Sequence, residues 1–118
     1  MFATGLMVGE SLKAREMLAA RGIDLAVVNI HTIKPIDEEL LVKYAKKTGK
    51  IVTVEEHSVI GGLGSAVCEA LADSVPTPVK RIGVQDVFGQ SGTADQLMAF
   101  YGLDGQGVYK TTKEFLGK

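Results

Sequence analysis

Residues that could do chemistry gather around one stretch, Val52-Thr-Val-Glu-Glu-His-Ser-Val-Ile-Gly-Gly-Leu-Gly-Ser65. Glu56, His57 and Ser58 are the residue types of an acid, a base and a nucleophile. A nucleophile and its base must meet from separate elements, whereas adjacent residues point in different directions. No GxSxG elbow accompanies them. His31 and His57, with Glu55 or Glu56, are the types of a metal site. A metal holds its nitrogens at about 2.0–2.1 Å, while strands that are not neighbours start about 9.5 Å apart. No HxH, HExxH or CxxC spacing gathers the ligands. Gly61, Gly62 and Gly64 offer free amides ahead of a helix, an arrangement that can cradle an anion. Their spacing is neither GxGxxG nor GxxxxGK, and no acidic residue follows at ribose distance. A tight turn that lets a helix pack closely on the sheet, or on another domain, uses the same glycines.

The elements that position these residues alternate regularly. Met1 to Thr4 supplies only the last half of a strand, since strands run about five or six residues. The expectation is a domain cut from a longer chain. Val8 to Arg21 reads as a helix through Val8, Leu12, Leu18 and Ala19, ended by Gly22. Leu25 to Ile30 is an apolar run with the character of a strand covered on both faces. Asp37 is a cap, and Glu38 and Glu39 place negative charge at the positive end of a helix whose face is Leu40, Leu41, Tyr44, Ala45 and Thr48. Gly49 stops it. Ile51 to Val54 is the third strand, and Leu63, Ala66, Val67, Ala70 and Leu71 form the next helical face. Cys68 lies beside that stripe as a structural cysteine. Val79 to Val84 is the fourth strand, and helices over Ala94–Tyr101 and roughly Gln106–Leu116 close the chain, the last capped by Asp104. Strands alternating with helices predict a parallel sheet with helices on both faces. Its C-terminal edge would collect Thr4, Gly5, His31, Glu55, Glu56, His57 and Asp86, and ligands bind there where strand order reverses.

Composition narrows the classes. The chain has 118 residues, 46% of them hydrophobic, enough for one domain with a proper core. Thirteen basic and fourteen acidic residues give a net charge of -1 with no basic run, which argues against nucleic acid or an anionic membrane as partner. No apolar run approaches the roughly 18 residues of a membrane helix. A single cysteine excludes an internal disulfide and suits a reducing, cytoplasmic compartment.

Six segments in register give a sharper indication: Ala3-Thr-Gly-Leu-Met-Val8, Asn29-Ile-His-Thr-Ile-Lys-Pro-Ile-Asp37, Ile51-Val-Thr-Val-Glu-Glu-His57, Gly61-Gly-Leu-Gly-Ser65, Arg81-Ile-Gly-Val84 and Asp86-Val-Phe-Gly89. Together they resemble the C-terminal domain of transketolases, and most of all the C-terminal subunit of split transketolases. The resemblance implies a three-layer α/β/α fold with a mostly parallel sheet and strand order 2-1-3-4. It also implies an extra antiparallel strand upstream of Phe2 in the parent enzymes. The crevice then lies between the first and third strands, at Gly5 and Leu6 and at Glu55, Glu56 and His57. Transketolases transfer a ketol unit between sugar phosphates with thiamine diphosphate and magnesium. In the family the diphosphate–metal site and the activating glutamate belong to upstream domains, so no catalytic, cofactor or metal residue carries over to this chain. The implied role is packing on the thiamine-diphosphate-binding domains or subunit and contributing to a dimer. The contact candidates are Gly5, Leu6, Glu55, Glu56, His57, Gly61, Gly62, Gly64 and Ser65.

Two other functions stay open at this level. One is a free-standing module binding an anion or phosphometabolite at the glycine turn. The other is the docking domain of a 2-oxoacid dehydrogenase β subunit. One departure from the family pattern stands out: Asp104-Gly-Gln-Gly-Val108 puts two glycines into the first turn of the last helix. Each costs up to about 1 kcal/mol relative to alanine, which puts that helix in question.

Overall fold

A computed structural model of the chain describes residues 1–5, 7–30, 36–58, 62–84 and 102–117. Leu6, His31, Pro35, Gly61, Asp86 and the helix expected over 94–101 lie outside them, as do the side chains of Glu56, His57 and Ser58. The elements are β1 (Phe2–Ala3), α1 (Met7–Ala19), β2 (Val28–Asn29), α2 (Glu38–Thr48), β3 (Ile51–Ser58), α3 (Leu63–Ala72), β4 (Val79–Val84) and α4 (Gly105–Leu116). All strand pairs are parallel and the order is β2-β1-β3-β4, as the resemblance implied. None of the described helices is long and apolar enough to cross a membrane.

Period-two alternation along β3 divides the core into two layers. Val52 and Val54 face α1 and α4 together with Ala3, Met7, Ala14, Ile82 and Val108. Ile51 faces α2 and α3 with Phe2, Leu41, Ala45, Leu63, Val67 and Leu71. Phe2 meets Tyr44 edge-on at 5.8 Å, which seats α2 over the middle of the sheet.

Capping chemistry sets the helix ends. The Asp37 carboxylate accepts from Leu40 N at 3.1 Å, and Gly49 closes α2 in the left-handed region at φ 76. Glu38 and Glu39 sit in the first turn of α2 and Lys46 and Lys47 in the last, the favourable sense for the helix dipole. Asp104 accepts from Gly107 N at 2.9 Å and starts α4.

Three sequence expectations need correction. The buried stripe of α1 is Met7, Ser11, Ala14 and Leu18, while Leu12 is 43% exposed and Val8 only half-buried. Leu18 is buried as expected, but Ser11 and Ala14 complete the stripe where α1 packs closely on α4, so hydrophobicity alone draws the face toward Leu12. The run Leu25 to Ile30 yields a ladder of two residues, because β2 is an edge strand paired only to β1. The last helix forms despite its glycines, and the reason is steric. A Cβ on Gly107 would lie 2.5 Å from the carbonyl oxygen of Gly102, and one on Gly105 would lie 2.8 Å from Lys13 Cβ. Both glycines mark a close approach of backbone to its neighbours.

Candidate functional site

The sheet reverses its order at β1: the chain leaves β1 for β2 on one side and returns through β3 on the other. The crevice of an open α/β sheet lies at the C-terminal ends of strands flanking such a point. Here Thr4 N donates to Val54 O at 3.3 Å, carrying the β1–β3 ladder to the end of β1. Gly5 then turns off at φ 55, a conformation that favours glycine, and Met7 N donates to Thr4 O to start α1. On the other side β3 is irregular. Four residue steps from Val54 to Ser58 face two from Ile82 to Val84 on β4, so β3 bulges across Glu55, Glu56 and His57. Bulges re-aim side chains at sheet edges and functional sites.

Glu55 turns inward. It is 1% exposed, and among the described residues it is the one charged side chain in the core. Its two oxygens accept from Leu63 N at 2.9 Å and Gly64 N at 2.8 Å, the first two amides of α3. Gly62 precedes them as N-cap with extended backbone and no side chain to offer. The capping group therefore comes from the preceding strand, where a carboxylate meets both the orphan amides and the positive end of the helix dipole. Each such charge-assisted bond is worth about 1.5–3 kcal/mol, enough to lock the start of α3 to β3.

Gly64 accounts for the closeness of that contact. A Cβ there would lie 2.7 Å from Arg81 Cδ, 2.8 Å from Arg81 Cγ and 3.1 Å from Thr53 Oγ1. The glycine turn thus serves close packing of α3 on the sheet. Thr53, fully buried beneath it, has a hydroxyl without a partner among the described residues. Gly5 is exposed, and Gly62 and Ser65 are half-buried. Glu55, Gly62, Gly64 and Ser65 thus lie together at the start of α3, while Gly5 follows the end of β1, the strand paired with β3. Leu6 and Gly61 lie outside the described residues, as do the Glu56 and His57 side chains.

A second carboxylate of the same kind escaped the sequence reading. Glu10 on α1 accepts through Oε2 from Gly105 N at 2.8 Å, capping α4 across the layer, while its Oε1 pairs with Lys13 at 3.3 Å. No local spacing reveals a partner 95 residues away. A signal for Glu55 did exist: Gly62 cannot cap α3, and an acidic residue directly follows the stretch Ile51 to Val54 before it.

The described residues do not fit a diphosphate–metal site. Among them no three His, Cys, Asp or Glu side chains converge to hold a metal ion, and both oxygens of Glu55 are engaged by α3. At the opposite edge of the sheet a cavity of about 370 Å³ opens beside Met1, lined by Ile23, Leu25, Tyr44, Lys50 and Ile51 among others. The Met1 amine is buried there and donates to Ala26 O at 2.7 Å, and its loss of solvent pushes its pKa down from 8.0 to about 6.

With this geometry in place, likeness to known proteins becomes informative. The family model described as the C-terminal domain of transketolase matches residues 1–108. A 6-deoxy-6-sulfo-D-fructose transketolase subunit from Clostridium sp. (strain MSTE9) is 48% identical over 112 residues, covering 95% of this chain and 35% of that protein. A putative transketolase C-terminal section from Methanocaldococcus jannaschii is 48% identical over 117 residues, 98% of this chain and 36% of that one. A 1-deoxy-D-xylulose-5-phosphate synthase from Syntrophotalea carbinolica is 45% identical over 116 residues, 98% of this chain but 18% of the enzyme. Among solved structures, a split-gene transketolase described as an inactive β4 tetramer superposes with TM-score 0.91 at 50% identity, over 96% of this chain and 37% of that one. The chain thus spans little more than a third of these transketolase relatives, and less of the synthase.

Proposed function

The chain belongs to the transketolase C-terminal domain family, and on that premise we propose that it is the contact module of a thiamine-diphosphate-dependent transketolase. The parent enzyme transfers a ketol unit between sugar phosphates in the cytoplasm. Partner domains, or a partner subunit, hold thiamine diphosphate and magnesium, and the cofactor carries the chemistry there. This domain packs on them through Gly5, Gly62, Gly64 and Ser65, with Leu6, Glu56, His57 and Gly61 as further contact candidates, and contributes to dimer contacts.

The observation that carries this reading is the state of Glu55. Both oxygens of its carboxylate are engaged with α3, so it stiffens the rim from within and presents no charge of its own to a docking surface. Rigid elements with a preformed shape make good docking faces, because little freedom is lost on binding.

A longer parent chain has a place for its additional strand. Val28 N and Ile30 N donate to Met1 O and Ala3 O at 2.8 and 2.9 Å, leaving the backbone of Val27 and Asn29 directed outward from β2. An antiparallel strand from upstream would pair along that edge.

Reconstitution tests the proposal. Mixed with a thiamine-diphosphate-binding transketolase subunit, the chain should co-elute in size-exclusion chromatography and restore ketol transfer that neither component shows alone. Separate elution at micromolar concentration, with no gain in activity, would count against it.

A further inference from the structure

Deepening the contact reading, we infer that Glu55 is a resident anion that determines what this edge admits: its carboxylate fills the anion cradle at the start of α3 and bars phosphorylated ligands from it. The contact reading enters only in what docks at the rim; the exclusion of anions stands on geometry alone.

A helix N-terminus preceded by glycines takes a phosphate through its first free amides. Here those amides belong to Leu63 and Gly64, and both end on Glu55. Leu63, Gly64 and Glu55 are all buried, so an external anion must displace a side chain rather than enter an open turn. Displacement is unfavourable on two counts. A tethered carboxylate loses no translational freedom on binding, whereas free phosphate does. A second anion beside Glu55 also meets like-charge repulsion, which burial strengthens and salt screens little.

The surroundings have the chemistry of an anion site. The aliphatic stem of Arg81 lies across Gly64, and the Thr53 hydroxyl sits against Gly64 without a partner among the described residues. Two amides therefore meet one carboxylate supplied by the chain itself, with a buried hydroxyl against the same helix turn. Removing that side chain should convert a closed turn into a binding site for inorganic phosphate or acetate.

Thermal unfolding of the chain and of Glu55→Ala, titrated with phosphate or acetate against chloride at constant ionic strength, tests this. The unsubstituted chain should hold its Tm within about 1 °C, having no free cradle to fill. Glu55→Ala should start lower and recover saturably, by about 5 °C at ten times the dissociation constant. A saturable phosphate shift in the unsubstituted chain would overturn the inference, and so would a folded Glu55→Ala that gains no more from phosphate or acetate than from chloride. If Glu55→Ala does not fold, amide hydrogen exchange in Glu55→Gln decides. Leu63 and Gly64 should exchange at least about tenfold faster, with Val67 and Leu71 unchanged; unaltered protection at the first pair, or equal loss at all four, overturns the inference. Failure of a transketolase subunit to bind the unsubstituted chain would remove the contact reading while leaving these results as they are.

Discussion

Replacing Gly107 by alanine should weaken the domain even though it raises helix propensity. The new Cβ would sit 2.5, 2.6 and 2.7 Å from the O, C and Cα of Gly102. All three are backbone atoms, so no rotamer change relieves the clash. Gly102 is itself held at φ 70, which fixes the turn that α4 must clear. Either the turn opens or α4 slides, and sliding strains the bonds from Gly107 N to Asp104 and from Gly105 N to Glu10. Propensity returns about 1 kcal/mol. Overpacking costs about 1–3 kcal/mol, and each weakened charge-assisted bond up to about 1.5–3 kcal/mol. The net loss is about 2–4 kcal/mol. At an unfolding entropy of about 2.1 cal/mol/K per residue, 1 kcal/mol moves the Tm by about 4 °C, so the expected fall is about 8–16 °C. Gly9→Ala is the matched control: the site is exposed within α1, with nothing within 4 Å of a new Cβ. It should gain about 0.5–1 kcal/mol, or roughly 2–4 °C. Melting curves by circular dichroism compare the three proteins directly. A Gly107→Ala protein as stable as its parent would refute the close-approach argument.

Three further outcomes are expected. Asp104→Ala removes the cap on Gly107 N and should cost about 1 kcal/mol in urea unfolding. On α1, Leu12→Ser should change stability by less than about 0.5 kcal/mol, whereas Leu18→Ala should cost about 2–5 kcal/mol, separating the exposed position from the buried one. With a free Met1 amine, stability should depend on pH between 8.0 and about 6. The amine is harder to protonate when folded, so over that window the unfolded chain binds more protons. Stability therefore falls as pH drops from 8 to 6, by on the order of 2 kcal/mol, and this contribution is flat below. N-terminal acetylation should abolish the slope, and an unchanged slope would disprove burial of the amine.

Much of the fold could be read locally. Asp37 and Asp104 cap where their side-chain type and position suggested, Gly49 ends α2, and Val79–Val84 forms a full strand after Pro76 and Pro78. Such features involve neighbours a few residues away. Strand order came from the family resemblance, because periodicity carries no information about which strand lies beside which. The misread elements share a cause in tertiary packing. Ser11 and Ala14 are buried because α4 approaches α1 closely, and hydrophobicity cannot identify a face made of small residues. The apolar run from Leu25 gives a short ladder because β1 offers it few partners. In the site, the glycine turn and Glu55 stood out at once, but the inward turn of Glu55 depends on the β3 bulge and on α3 lying over it. Glu10 was invisible for the same reason, since its partner is brought to it only by the packing of α4.

The most direct test of a contact module that relies on partner domains for its cofactor is calorimetric titration of the isolated chain with thiamine diphosphate and magnesium. The expected result is no saturable heat until a thiamine-diphosphate-binding transketolase subunit is added. Stoichiometric binding to the chain alone would contradict the division of labour proposed above and place a cofactor site within these 118 residues.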